Sequence, residues 1–247
     1  MTDPIYARDA YARTVEATVT AVVAEGEVGP GIVLDRTVFY PGGGGQPADA
    51  GRLMGLDGRA WTVSGARRSG ADVVHTIALE EGQPLPAVGE TVSAELDWER
   101  RHRLMRTHTA LHALCGVVWR DYGALVTGGN MEPLSGRMDF EFETMSGTLV
   151  GEIEGRVNAA LAEGHEVRVK VLPRDEAFRI PDLIRTKVNL LPPGIAEVRI
   201  VEIVGLDQQA DGGTHVADTR EVGRIAVTGY ESKGRINKRI RIAVEDA

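Results

Sequence analysis

The sequence predicts an α+β fold, in which a small N-terminal β-barrel or sandwich is followed by an α+β domain that has a largely antiparallel sheet. Residues 14–95 form short apolar or alternating runs that glycine-rich turns separate. The later residues mix helical with alternating periods. Between them, residues 80–90 contain two prolines and two glycines, as connecting loops do. We therefore expect a boundary near residue 95, with domains at 1–95 and 96–247.

The individual elements follow from hydrophobic period. In the first part, strands are predicted at residues 15–23, 61–64, 72–77 and 91–96. In the second part, helical spacing predicts helices at 97–122 and 149–163 and a short helical piece at 174–179. Alternation there predicts strands at 137–143, 166–172, 196–204, 224–228 and 236–244. This order predicts helices packed against a largely antiparallel sheet.

The composition is that of an ordinary globular protein. Hydrophobic residues make up 43% and charged residues 26% of the chain, and no apolar run approaches the roughly 20 residues that span a bilayer. The N-terminus has no basic segment followed by an apolar run, and Cys115 has no second cysteine to pair with. We therefore expect a soluble, cytoplasmic protein.

The net charge of −8 disfavours a protein that coats nucleic acid by bulk attraction, because lysine and arginine bind the phosphates. Positive charge is nevertheless bunched in two places, at Arg100, Arg101, Arg103 and Arg106 and at Lys233, Arg235, Lys238, Arg239 and Arg241. A solvated face is the commoner explanation of such clusters. They indicate phosphate binding only if another feature of the chain demands a polyanion.

The sharpest local feature is a pair of histidines, His108 and His112, inside the predicted helix. Their spacing of four places both imidazoles on one helical face, close enough to bind one metal ion, although such pairs often have purely structural roles. Zinc proteases share this spacing but have a glutamate directly after the first histidine as general base. Here that residue is Thr109, which disfavours a protease.

A second set of candidate ligands lies about a hundred residues later, in the segment DQQADGGTHV at 207–216. The glycines between Asp211 and His215 disfavour a helix and let the backbone turn tightly, which brings a carboxylate and an imidazole together. In isolation such a segment is usually an exposed glycine turn. With the helical pair it makes three imidazoles and a carboxylate available. Zinc accepts both ligand types, and a catalytic zinc site normally keeps a position for water.

Four successive glycines at 42–45 lie between Thr37 and Gln46. Such a run lets the backbone approach a ligand closely, and the two side chains supply hydrogen-bonding groups beside it. A flexible turn between strands, with Thr37 as a strand residue whose hydroxyl is exposed, is the commoner explanation of each feature alone.

Together, the three segments resemble the alanyl-tRNA editing proteins of the AlaX type, which are freestanding relatives of the editing domain of alanyl-tRNA synthetase. The resemblance covers nearly the whole chain, from the Thr-x-Phe-Tyr-Pro and Gly-Gly-Gln segment at 37–46, through the two histidines four apart, to Gly-Gly-Thr-His at 212–215. The order and separation of the motifs are specific, whereas each alone is ambiguous. The basic segment 231–240 is similar to the closing strand of that family.

The resemblance implies one bound zinc ion and hydrolysis of the ester that joins serine or glycine to the terminal ribose of tRNA(Ala). By position, the metal ligands would be His108, His112, Asp211 and His215. Thr37 matches the threonine that distinguishes serine from alanine, and Gln46 matches the glutamine of the glycine-rich active-site segment. Substrate would also be bound by Gly43, Gly44, Gly45, Lys233, Arg235, Lys238 and Arg239. No obligate protein partner is expected.

The chain departs from the family pattern at Asp211, where the family has a cysteine. A carboxylate is a harder ligand than a thiolate, but three imidazoles and a carboxylate still suit zinc. Cys115 offers an alternative, because residues 108, 112 and 115 share one helical face. Its apolar neighbours favour a packed helix interior instead.

Two other functions fit the same residues. A metal-dependent hydrolase of a small ester or amide would keep the metal ligands and need no tRNA. A tRNA-binding relative that has lost catalysis would account for the missing cysteine.

Overall fold

A closed β-barrel forms most of the first part of the chain, as the sequence predicted. The computed structural model describes residues 1–23, 29–189, 191 and 193–246. The chain divides into Met1–His102, called unit 1, and Arg103–Ala247, called unit 2. In unit 1 the strands are β1 (Asp3–Pro4), β2 (Thr14–Val23), β3 (Gly31–Leu34), β4 (Arg36–Thr37), β5 (Gly51–Gly55), β6 (Ala60–Ser69), β7 (Asp72–Ala78) and β8 (Thr91–Leu96), and a 3₁₀ helix lies at Ile5–Ala7. The domain boundary near residue 95 stays a prediction.

Six strands close the barrel in the order β2, β3, β7, β6, β5, β8, and each neighbouring pair is antiparallel. Alternation fills its core. Val92, Ala94 and Leu96 of β8 are buried, while the residues between them are half-buried, because successive side chains point to opposite faces of a strand. Trp61 and Phe39 are the largest apolar side chains in this core.

An ion pair is buried in unit 1. Arg101, in the first turn of helix α1 (Trp98–Tyr122), and Asp49 are both almost inaccessible to solvent. The Nε of Arg101 donates to the two carboxylate oxygens of Asp49 over 2.9 and 3.1 Å, and its Nη2 donates to the carbonyl of Val38 over 2.7 Å. The amide of Tyr40 also donates to Asp49, over 2.6 Å. This arginine, which the sequence placed in a candidate phosphate-binding cluster, is therefore engaged inside the protein.

Unit 2 combines helices with two antiparallel sheets, as the sequence predicted. After α1 come β9 (Val126–Glu132), β10 (Ser135–Glu141), α2 (Gly147–Glu163), β11 (Val167–Pro173), α3 (Arg174–Ala177), β12 (Glu197–Ile203), β13 (Asp207–Ala210), a 3₁₀ helix (Thr219–Val222), β14 (Arg224–Ser232) and β15 (Asn237–Glu245). One sheet has the order β14, β15, β10, β9, and the other has the order β11, β12, β13. Strands β9 and β13 were not predicted, because glycines interrupt the first and polar residues fill the second.

Helix α1 is buried on every side over residues 107–118. It packs closely on β10, since a Cβ atom at Gly136 would lie 3.1 Å from a methyl carbon of Leu111. A helix buried all round needs apolar or small residues on all faces, and any polar side chain in it needs a partner. No helix among the described residues is long and apolar enough to cross a membrane.

Helix α2 covers the outer strand of the larger sheet. It begins after Ser146, whose hydroxyl accepts from the amide of Leu149 over 3.2 Å, and it ends at Gly164, which has a φ of 79°. The amide side chain of Asn158 bonds both the carbonyl and the N–H of Ile225 in β14, over 2.9 and 2.8 Å. These bonds satisfy backbone groups that an edge strand otherwise leaves unpaired.

We expect Asp49→Ala to lower the free energy of unfolding by about 3–5 kcal/mol, because the charge of Arg101 would stay buried without its partner. Urea-induced unfolding of the whole chain measures this change. The double variant Asp49→Leu, Arg101→Met removes both charges, so it should be more stable than Asp49→Ala. A loss below about 1 kcal/mol for Asp49→Ala would contradict this account.

Candidate metal centre

Three histidines and an aspartate of unit 2 converge on one point. His108, His112, Asp211 and His215 each offer one ligand atom, and these atoms all lie within 4.8 Å of one another. The three histidines are buried and the aspartate is half-buried. These are the four residues that the sequence predicted as metal ligands. The structure brings them together, and metal binding by them stays a prediction.

Helix α1 and the segment after β13 supply two ligands each. The rings of His108 and His112 lie one helical turn apart, with centroids separated by 5.1 Å. The ring of His215 lies 4.2 Å from the first and 4.6 Å from the second. The Nε2 atom of His108 is 3.5 Å from Oδ1 of Asp211, and that of His215 is 3.1 Å from Oδ2.

The Asp211 side chain also shapes the turn that carries His215. Its Oδ2 accepts a hydrogen bond from the amide of Gly213 over 2.6 Å, which closes the turn on itself. Arg199 holds the same residue by donating to its carbonyl over 2.9 Å. The paired glycines were expected to make this turn, but Gly212 has no positive φ and a Cβ there would meet open space. The carboxylate, and not the backbone freedom of Gly212, closes the turn.

Two neutral imidazoles, those of His108 and His215, lie beside an ionised carboxylate in this cluster. Burial lowers the pKa of His215 to about 4 and lowers the pKa of His108 well below its usual value. Burial acts to raise the pKa of Asp211, but the neighbouring imidazoles outweigh it and the pKa is held well below its usual range. Free nitrogen lone pairs and an anionic oxygen are what a divalent cation requires of its ligands.

Two further side chains contact the Nδ1 atoms of His112 and His215. Nδ1 of His112 lies 3.1 Å from Oδ2 of Asp207, and Nδ1 of His215 lies 3.3 Å from the hydroxyl of Thr109. Burial acts to lower the pKa of His112, but the hydrogen bond to Asp207 and the negative charges of Asp207 and Asp211 together outweigh it, and the pKa is raised. Thr109 also accepts from the amide of Val216, over 3.2 Å.

The sequence analysis assigned no role to either of these residues. Asp207, Gln209 and Asp211 alternate along the chain, and this period of two was a signal that they lie on one face of a strand. No comparable pattern marked Thr109, which had served only to disfavour a protease.

The donor set fits zinc. Tetrahedral zinc with bonds of about 2.0–2.2 Å places its ligand atoms roughly 3.3–3.6 Å apart, so the cluster needs only small movements to close around an ion. Imidazoles and a carboxylate are common zinc ligands. The cluster, as found among the described residues, does not include Cys115. Burial raises the pKa of that thiol well above its usual value, as expected for a packed helix interior.

The glycine run of unit 1 forms a tight loop. Glycines 42–45 have φ angles of 79°, 135°, 60° and 90°, which only glycine adopts readily. Gly43 and Gln46 exchange two backbone hydrogen bonds of 3.0 Å, and Gln46 is buried. The loop is therefore held by its own backbone, and substrate binding by Gly43, Gly44, Gly45 and Gln46 stays a prediction.

The hydroxyl of Thr37 is buried and oriented. Its oxygen lies 2.7 Å from Nε2 of His75 and accepts from the amide of Phe39 over 3.0 Å. Nδ1 of His75 lies 3.3 Å from the carbonyl oxygen of Ile32, which can only accept, so Nδ1 carries the ring proton. Burial lowers the pKa of His75 to about 4, so the ring is neutral at pH 7 and Nε2 accepts the hydroxyl proton. The alternative of an exposed strand hydroxyl was wrong, because the Thr37 side chain is inaccessible to solvent.

The predicted tRNA-binding cluster divides into two kinds of side chain. Lys238 is buried, and its ammonium donates to two carbonyl oxygens of the turn between β14 and β15, over 2.8 Å each. Arg239 forms a two-point contact of 2.7 and 2.8 Å with Asp139. Lys233 and Arg235, in and beside the same turn, are exposed. Binding of tRNA by all four residues stays a prediction, and the last two have the freer side chains.

The comparisons with known proteins agree with this architecture. The family model described as tRNA synthetases class II (A) matches residues 7–100, and the one described as the threonyl and alanyl tRNA synthetase second additional domain matches residues 198–241. The alanyl-tRNA editing protein AlaX-M of Saccharolobus solfataricus is 37% identical over 99% of this chain and 100% of its own length. The chain belongs to the AlaX-M family of alanyl-tRNA editing proteins.

Other relatives support the same family. AlaX-M of Methanosarcina mazei is 36% identical over 100% of this chain and 98% of its own length. The alanine–tRNA ligase of Pyrobaculum arsenaticum is 36% identical over 93% of this chain, which spans 25% of that ligase. The resemblance stated from the motifs is therefore confirmed.

We expect the chelator-stripped protein to bind about one zinc ion per chain, and His215→Ala to weaken that binding by more than about tenfold, because it removes a ligand. Asp211→Cys, which installs the family residue, should bind zinc more tightly than Asp211→Ala. Competition with a chromophoric chelator measures these affinities. His165→Ala is a matched control, since His165 bonds the carbonyl of Val204 and lies outside the cluster. Equal affinities of the wild type and His215→Ala would contradict the assignment.

Proposed function

We propose that this AlaX-M protein is a zinc-dependent deacylase that hydrolyses the ester joining serine or glycine to tRNA(Ala). The observation that carries the proposal is the convergence of His108, His112, Asp211 and His215 in a chain similar to AlaX-M proteins over its full length. Hydrolysis adds water across the ester and releases the free amino acid and a tRNA with a free ribose hydroxyl.

The reaction makes modest demands on the protein. An aminoacyl ester is already reactive, so the chain has mainly to position the carbonyl and a water molecule. A zinc ion held by these residues, with one coordination position open to water or to the carbonyl, would supply a Lewis acid that polarises the carbonyl or lowers the pKa of a water. Burial keeps the imidazoles of His108 and His215 neutral, and their neighbour Asp211 stays ionised, so these three side chains are ready to bind the ion.

Selection of serine over alanine is the task proposed for Thr37. Its proton points to His75 and the amide of Phe39 occupies one side of its oxygen, so the hydroxyl can receive a hydrogen bond but has no proton to donate. The hydroxyl of a seryl group could donate to it, whereas an alanyl group would leave a buried acceptor unpaired. An unmade hydrogen bond to a buried group costs about 1–3 kcal/mol.

The charge distribution supports a small tRNA footprint. With a net charge of −8, the chain has no general attraction for a polyanion, and several of its arginines are engaged in internal ion pairs. Lys233 and Arg235 are exposed near one turn and are the side chains that we assign to the acceptor stem.

Deacylation assays test the proposal directly. We expect the purified protein to deacylate seryl-tRNA(Ala) or glycyl-tRNA(Ala) faster than alanyl-tRNA(Ala), and to lose this activity in chelator and regain it with zinc. A minimal seryl ester without tRNA serves as the comparison substrate. Equal rates on that ester would instead favour a hydrolase of small esters, and no deacylation by the zinc-loaded protein would contradict catalysis.

We expect Thr37→Val to reduce the ratio of kcat/KM for seryl- over alanyl-tRNA(Ala) by roughly tenfold, because the acceptor for the serine hydroxyl is lost. Thr37→Ser keeps the hydroxyl and is the matched control, which should retain most of the selectivity. An unchanged ratio in Thr37→Val would remove this residue from the mechanism of selection.

A further inference from the structure

A buried carboxylate that is not one of the four candidate ligands contacts the cluster of candidate metal ligands. The side chain of Asp207, at the start of β13, is inaccessible to solvent. Its Oδ2 lies 3.1 Å from Nδ1 of His112 and accepts from the side-chain amide of Gln209 over 2.7 Å. Burying a carboxylate costs free energy unless its surroundings compensate, so its position calls for a physical explanation.

This contact decides which nitrogen of His112 carries a proton. A carboxylate can only accept hydrogen bonds, so Nδ1 of His112 must be protonated. In the neutral ring, Nε2 then has a free lone pair. The histidine must be in this tautomer to bind a metal through Nε2.

We propose that Asp207 is a positioning residue that holds His112 in the tautomer and orientation required for metal binding. The inference rests on the metal site of the proposed function. It adds a residue to the four ligands and assigns a purpose to the buried carboxylate.

A positive charge supports the carboxylate from its other side. Nε of Arg185 lies 3.8 Å from Oδ1 of Asp207, and the guanidinium stacks 4.6 Å above the ring of Trp119. The backbone of Arg185 is fixed as well, since its carbonyl accepts from the amide of Val126 over 2.9 Å. The guanidinium therefore supplies the charge that a buried carboxylate requires.

Asp207 can lie close to α1 because residue 116 of that helix is a glycine, which has no side chain. Gly116 lies one helical turn after His112, where the chain entering β13 meets the helix. A Cβ atom at residue 116 would lie 2.7 Å from the carbonyl oxygen of Leu206 and 2.9 Å from Cβ of Asp207. Such distances are too short for real contacts, so any larger residue would force this part of the chain away from the helix.

Two variants of Asp207 test the inference. Asp207→Ala should weaken zinc binding by about 10–100-fold, as loss of a residue that orients a metal-binding histidine does. In the zinc-free protein it should also shift His112 towards the tautomer protonated at Nε2, which the nitrogen chemical shifts of the ring report. Asp207→Asn places a carbonyl oxygen where Oδ2 lies, so it should retain the wild-type tautomer and lose less affinity.

Gly116→Ala provides a test that removes no polar group. The added methyl should displace Asp207 and reproduce part of the loss of zinc affinity and part of the tautomer shift. Glu202→Ala is the control for removal of a carboxylate from the same sheet, because Glu202 pairs with Gln208 of β13 and faces Lys170 at 3.5 Å. It should keep the wild-type affinity. Circular dichroism and urea unfolding verify that each variant is folded.

The outcomes separate this inference from the proposed function. Asp207→Ala that binds zinc within about twofold of the wild type, with His112 still protonated at Nδ1, would overturn the inference even if the wild type deacylates tRNA. The tautomer of His112 in the zinc-free wild type can be measured without any assay of enzymatic activity. A ring protonated at Nε2 in that protein would also overturn the inference, and a ring protonated at Nδ1 that shifts in Asp207→Ala would support it.

Discussion

The structure around the candidate metal ligands depends on one helix whose polar side chains are buried inside the protein. Helix α1 is buried on all sides over residues 107–118, so each polar group there needs a partner. The segment 207–216 provides partners for three of these groups: a carboxylate to His112, another beside His108, and the amide of Val216 to Thr109. Thr107 instead donates to the carbonyl of Arg103. A metal ion would complete the same set of interactions. The cluster thus results from packing a helix with several buried polar side chains against a segment that carries two aspartates.

Two buried carboxylates each lie beside an arginine, one in each unit, although only Arg101 donates hydrogen bonds to its carboxylate. Asp49 is held by Arg101, and Asp207 lies between His112 and Arg185. In both cases the arginine is nearly or fully buried and its charge is directed inward. Arginines in the sequence therefore serve the interior as well as the surface, so an arginine within a basic cluster, such as Arg101, is not by itself evidence of a nucleic-acid-binding face.

The departure from the family pattern at residue 211 has a structural side. The carboxylate of Asp211 faces the imidazoles, and one of its oxygens also closes the following turn on the amide of Gly213. A thiolate is a weaker hydrogen-bond acceptor than a carboxylate and has a single ligand atom. Asp211 can therefore fix the approach of His215 with one oxygen and offer the other to a cation.

Hydrophobic period in the amino-acid order was enough to predict a barrel or sandwich, the main helices and most strands, because burial of one face imposes a period of 2 or 3.6 residues. The family resemblance favoured the barrel. The four candidate ligands, which the structure brings together, were predicted from residue types, spacing and family resemblance. Strand β9 escaped because glycines hide its alternation. The pairs Thr37 with His75, Arg101 with Asp49, and His112 with Asp207 also escaped. Each pair joins residues that are tens of positions apart in the sequence. A local pattern indicates which side chains are buried but not which of them contact each other. Only the packing of the folded chain decided these contacts.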